Sequence, residues 1–120
     1  MSRRATPEES KRVLDAIRSE HQRTVAQIES LERSVAAIVE AAELTATDDE
    51  HDPEGTTIAY ERAQALALLR QARIDLDRLV AARTLLESGE EIVCANCGRE
   101  IGYERLLALP TASTCVDCAV

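Results

Sequence analysis

Phenylalanine and tryptophan are absent from this 120-residue chain, and tyrosine occurs only twice. The apolar residues are mostly Ala, Leu, Val and Ile, so no large aromatic anchors are available to build a deep globular core. A domain of this size without such anchors is marginal unless something staples it. Positive charge is also scarce, with 14 Lys and Arg against 22 Asp and Glu and a formal net charge of -8. Nucleic-acid affinity rests on Lys and Arg neutralising phosphates, so direct binding to DNA or RNA is not expected. A protein partner with a basic surface fits better. No stretch is long and apolar enough to span a membrane, and the opening MSRRATPEES has no apolar run of the signal-peptide kind. All four cysteines fall in the last 27 residues. A reducing cytoplasm, with these thiols holding metal rather than forming disulfides, is the expectation.

Two long helices are predicted. Thr6-Pro7-Glu8-Glu9 combines a cap, a proline suited to the first helical position and a glutamate that completes a capping box. From there Leu14, His21, Ile28, Val35 and Ala42 recur every seven residues, and Ile17, Thr24, Leu31 and Ile38 form a second row. The alternating spacing of three and four is that of a coiled-coil seam, with His21 and Thr24 as its weak points. The pattern fails near Ala46. A second helix then starts with Asp52 as cap, Pro53 in the first position and Glu54 at the positive end of the dipole. Ile58, Ala65, Ala72, Leu79 and Leu86 repeat every seven residues, with Leu69 and Leu76 beside them. Arg62 and Arg83 fall in that second row and are expected at frayed ends, and Ser88-Gly89 is a stop signal.

Two such helices joined by a short turn should fold back as an antiparallel hairpin. The expected fold is mostly α: a long coiled-coil helical hairpin over residues 1–90, an acidic tip at 46–55, and a four-cysteine zinc-finger module over 91–120. The alternative is a three- or four-helix bundle with the turn tucked in. The 28 residues from Ser34 to Glu61 contain neither Lys nor Arg, so tucking the turn in would bury carboxylates without cations to pair with them.

The most specific signal is the cysteine spacing. Cys94-x2-Cys97, a gap of 17 residues, then Cys115-x2-Cys118 places two sulfurs on each of two turns, as a tetrahedral zinc ion requires. Four thiolates against the two positive charges of zinc bring the metallated chain to about -10. All-thiolate sites suit zinc, which is borderline-soft and redox-inert. Gly98 follows the first pair, where a positive φ lets amides turn toward the sulfurs. A site closed by four protein ligands has no open position for water or substrate, so one structural zinc ion is expected and an enzyme is not. A thiol-based redox switch that expels zinc on oxidation is a rival reading. Between the pairs, Tyr103 to Ala108 is predicted as a short helix ended by Pro110. Arg99 and Arg105 are the only basic residues beyond Arg83. Arg99 reads as a surface residue and Arg105 as a candidate partner contact.

The turn holds Asp48, Asp49, Glu50, Asp52 and Glu54. Turns favour Asp, and acids are drawn to helix N-termini, so a solvated loop is the simplest reading. The spacing does not match an EF-hand. Hard carboxylate oxygens can, however, coordinate or perturb magnesium, and a tip on a long arm can deliver them into a partner's site. His51 and His21 are given no role.

The module pattern CxxCGxxIGxxRLxAxPxAxxCxxC is carried by Cys94, Cys97, Gly98, Ile101, Gly102, Arg105, Leu106, Ala108, Pro110, Ala112, Cys115 and Cys118. It resembles that of the DksA/TraR family of bacterial transcription regulators, and the preceding hairpin is similar in length and polarity. The resemblance implies a non-enzymatic protein that binds RNA polymerase rather than DNA. The hairpin would enter the secondary channel, and Asp48, Asp49, Asp52 and Glu54 would approach the catalytic magnesium, often in concert with the alarmone ppGpp. The family's tip resembles Asp-x-x-Asp-x-Ala. Here Asp52-Pro53-Glu54-Gly55-Thr56-Thr57 lacks the second Asp and the Ala, whereas Asp49 and Asp52 give an Asp-x-x-Asp followed by Glu54. The sequence ends two residues after Cys118, so contacts made by a C-terminal helix in longer members are not expected. A zinc-stapled adaptor for some other protein is the remaining alternative.

Overall fold

The computed structural model describes residues 5–45 and 53–119, with residues 45 and 53–55 described by backbone alone. Helix α1 spans Pro7–Thr45 (39 residues), α2 spans Pro53–Glu87 (35 residues) and α3 spans Tyr103–Ala108 (6 residues). The chain is therefore mostly helical. Its β-type pairing among the described residues is an isolated antiparallel bridge between Val93 and Glu100. No helix among the described residues is long and apolar enough to cross a membrane.

The helix ends form where local chemistry dictates. At the start of α1 the Thr6 backbone N–H donates to Glu9 Oε1 at 2.9 Å, and the Glu9 N–H donates to Thr6 Oγ1 at 3.2 Å. This reciprocal pair is a capping box, and it satisfies two amides that the helix itself cannot. Helix α2 starts on Pro53, whose missing N–H costs nothing there. It ends in a Schellman motif: Gly89 adopts φ 76°, its N–H donates to the Leu86 carbonyl at 3.1 Å, and the Glu90 N–H donates to the Leu85 carbonyl at 2.8 Å. The frayed ends expected at Arg62 and Arg83 are not found, because both lie inside α2. Arg83 Nε stands 4.0 Å from Glu87 Oε1 one turn on, a pairing that supports the last turns.

Contacts divide the chain into two units. The first comprises residues 1–23 and 75–120 and so contains both helix ends together with the cysteine module. Val13 and Ile17 of α1 and Leu79 and Ala82 of α2 are buried in one cluster with Cys94, Ile101, Leu106 and Cys115. Ile17 and Leu79 are completely inaccessible, and truncating residues of that kind typically costs about 2–5 kcal/mol. Arg18 reaches Glu87 at 3.4 Å across the two helices, both side chains half-exposed, a contact of modest energy.

The second unit, residues 24–74, contains segments of α1 and α2 alone. Thr24 and Ile28 are buried on α1, and Ala65, Leu69 and Ala72 on α2. Glu32 meets Arg73 at 3.9 Å, while Ala42 shares a groove with Ile58 and Arg62. Early positions thus face late ones, and the two segments run antiparallel. The predicted seam is recovered here: Leu31, Val35, Ile38, Ala42 and Ile58 are half-buried. Thr24 is small enough to sit buried at its place, and no buried side-chain oxygen or nitrogen among the described residues lacks a partner.

Candidate metal centre

The cysteine module is built from two short turns held together by backbone hydrogen bonds. The Cys94 N–H donates to the Arg99 carbonyl at 2.7 Å and the Ile101 N–H to the Ile92 carbonyl at 3.0 Å, which fold residues 92–101 into a tight loop around the first pair. Gly98, at φ 75°, makes the reversal, a backbone region that L side chains rarely enter. The second pair lies in another turn, where the Cys118 and Ala119 N–H groups both donate to the Cys115 carbonyl at 3.1 and 3.0 Å. The Ala95 N–H donates to the Ser113 carbonyl at 2.8 Å and ties the two turns to one another.

The Sγ atoms of Cys94, Cys97, Cys115 and Cys118 all lie within 4.8 Å of one another. Cys97 Sγ and Cys115 Sγ are 3.7 Å apart. Zn–S bonds of about 2.3 Å in a tetrahedron place neighbouring sulfurs about 3.8 Å apart. The spacing is that of a tetrahedral thiolate cage, too long for a disulfide. Cys94 and Cys115 are buried, Cys118 is half-buried and Cys97 is exposed.

As bare thiols the four would be electrostatically divided. Hydrogen bonding from the Cys97 backbone, with further help from the Cys115 and Asn96 backbones, outweighs burial and draws the Cys94 thiol down to about 6. At Cys118 the Asn96 side chain pulls the thiol down, but the crowded sulfurs of Cys115 and Cys97 prevail and push it up to about 11. Four neighbouring thiols cannot all ionise unaided, and a divalent cation removes the conflict. The donor set, the spacing and the closed geometry fit one structural zinc ion held by these four residues.

Asn96 is the residue that the sequence reading missed. Its backbone N–H lies 3.4 Å from Cys94 Sγ and its side-chain amide 3.3 Å from Cys118 Sγ, so it bridges both turns. The amide near sulfur is thus that of Asn96, while the Gly98 N–H donates to the Cys94 carbonyl at 2.9 Å. The one hint in the sequence was an amide side chain between two cysteines. Outer groups of this kind orient metal ligands, and losing them commonly costs 10–100-fold in affinity. Asn96→Ala is expected to weaken zinc binding about tenfold without unfolding the module, as read by competition with a colorimetric chelator.

Arg105, half-buried on α3, donates from Nε to the Thr114 carbonyl at 2.7 Å and braces the strand of chain that enters Cys115. Arg99 is exposed. The predicted short helix over Tyr103 to Ala108 is present, with Leu106 packed into the core. Asp48, Asp49, Asp52 and the side chain of Glu54 lie outside the described residues.

Residues 88–120 match the family described as the prokaryotic dksA/traR C4-type zinc finger. The chain is also similar to YteA of Bacillus subtilis (strain 168), described as an uncharacterized protein, with 37% identity over 75 residues. That alignment covers 62% of this chain and 31% of YteA, so the chain spans about a third of the relative's length. No solved structure matches it.

Proposed function

We propose that this chain, whose C-terminal module is a zinc finger of the dksA/traR C4 type, is a transcription regulator that binds RNA polymerase rather than DNA. In this reading the helical hairpin enters the enzyme's secondary channel. The acidic connection, with Asp49 and Asp52 as the active pair and Asp48 and Glu54 beside them, comes close to the catalytic magnesium and shifts the balance of initiation there. The protein is not itself an enzyme: zinc closed by four protein sulfurs offers no open position. Its work is structural, holding the ends of α1 and α2 in one core with the cysteine turns.

The observation that supports the reading most strongly is the match of residues 88–120 to this finger, together with the convergence of its four sulfurs. Two long antiparallel helical segments and a formal charge of -8 agree with it, since an acidic arm can enter a channel that must admit nucleoside triphosphates. Participation of ppGpp belongs to the same reading and would be seen as an effector-dependent change in the response. Purified RNA polymerase titrated against the fluorescently labelled, zinc-loaded chain should give saturable binding that weakens with salt. Competition by a cleavage factor known to occupy the secondary channel should displace it. Absence of binding with the zinc content intact would remove the proposal.

A further inference from the structure

The four sulfur ligands of the metal centre are not equivalent in access. Cys94 and Cys115 are buried in the hydrophobic cluster, 2% and 9% exposed, and Cys118 is half-buried against it. Cys97 is exposed and belongs neither to that cluster nor to the residues packed on it. Its neighbours from Ala95 to Arg99 are exposed as well. A first side-chain carbon placed on Gly98 would meet nothing within 4 Å, so the surface beside Cys97 is open.

Hydrogen bonding divides the sulfurs along the same line. Asn96 donates its backbone N–H to Cys94 Sγ at 3.4 Å and its side-chain amide to Cys118 Sγ at 3.3 Å. Among the described residues no N–H donates to Cys97 Sγ, which lies instead against the Cys115 sulfur at 3.7 Å. An N–H held against a thiolate stabilises its charge and makes its electron pair less available for attack. Metal ligation keeps cysteine in the thiolate form, which is the nucleophile. Burial shields Cys115, burial and an amide shield Cys94, and Cys118 has a share of each. Cys97 has neither.

The chemistry of the site narrows the reagent. Thiolate sulfur is soft and matches a soft carbon electrophile such as an activated alkene. Four thiolates outweigh the charge of one zinc ion, and the chain already stands at -8, so an anionic reagent is repelled where a neutral one is not. We infer that Cys97 is a modification site for neutral carbon electrophiles of the α,β-unsaturated carbonyl class, and that its alkylation is the step by which the module gives up zinc. The Cys97 sulfur forms a bond to the β-carbon, the π electrons move to the α-carbon, and water supplies the proton there. No oxidant takes part and no disulfide forms. Cys97 becomes an uncharged thioether and a weak ligand, which leaves Cys94, Cys115 and Cys118 to hold the metal. The inference rests on the zinc site and not on the polymerase reading.

The test treats the full zinc-loaded chain, in excess zinc, with one equivalent of N-ethylmaleimide and maps the adducts by peptide mass analysis. Cys97 should carry about tenfold more adduct than any other cysteine. Once free zinc is removed, the singly modified chain should pass its metal to a colorimetric chelator about 10–100-fold faster than the unmodified chain. Raising free zinc should leave the alkylation rate unchanged, because the loaded chain is the species that reacts. In zinc-saturated Asn96→Ala, Cys118 loses its amide donor, and its share of adduct should rise toward that of Cys97 while Cys94 and Cys115 stay spared. Iodoacetate should lag iodoacetamide about tenfold more than it does with free cysteine. First adducts on Cys94, Cys115 or Cys118, or zinc retained equally well by the Cys97 adduct, would overturn the inference. So would a rate that falls as free zinc rises, an unchanged Cys118 in Asn96→Ala, or no extra lag for iodoacetate. A chain that takes up no zinc at all would overturn the metal centre as well, which separates that failure from the others.

Discussion

Chelation of zinc is expected to unfold the C-terminal module and to loosen the ends of α1 and α2 with it. The reason is the composition of the core: Cys94 and Cys115 are buried in the same cluster as Val13, Ile17, Leu79 and Ala82. With no Phe or Trp in the chain, little else holds the module's loops, and structural zinc commonly supplies about 10–16 kcal/mol of apparent binding energy to such folds. Cys115→Ser is expected to have the same effect in milder form, lowering zinc affinity by more than the roughly 100-fold upper range seen for outer groups. Because the sulfurs must be deprotonated to bind, protons compete with the metal, and zinc should be retained near neutral pH and released on acidification. Zinc content by metal analysis, amide exchange across residues 90–118 and thermal unfolding with and without chelator check this. An unchanged melting temperature and unchanged protection after complete zinc removal would contradict a structural role.

The double variant Asp49→Ala/Asp52→Ala is expected to abolish the proposed effect on transcription while leaving polymerase affinity within about threefold and the zinc content unaltered. Both residues belong to the connection between α1 and α2. If hard carboxylate oxygens act on a magnesium ion in the partner, removing them takes away the chemistry and spares the docking. In vitro transcription with purified polymerase, comparing the native chain and the variant at saturating concentration, is the measurement. Equal activity of the two would place the functional contact elsewhere on the hairpin and would favour a plain adaptor.

Several features were legible in advance because each is set by neighbours in the sequence. The capping box at Thr6 and Glu9, the start of α2 on Pro53, the Gly89 stop and α3 over Tyr103–Ala108 all depend on residues within one or two turns. The heptad rows predicted Ile17, Thr24, Ile28, Ala65, Leu69, Ala72 and Leu79, and all seven are buried. Misjudged were positions whose environment comes from a distant part of the chain. Val13 and Ala82 lie off the predicted seam, yet both are buried, because the folded-back cysteine module covers them as well as the partner helix does. Arg62 and Arg83 looked like breaks in an apolar row, but a long helix continues through single polar positions when its neighbours are good helix formers.

The sequence by itself determined the helices, their turning points and the metal ligands, since capping, periodicity and ligand spacing are short-range relations that need no knowledge of the rest of the chain. The tertiary structure alone decided that Cys94 and Cys115 share one core with the start of α1 and the end of α2, and that Asn96 reaches sulfurs of both turns. Each of these joins residues far apart along the chain, and only the closing of the fold brings them within reach of one another.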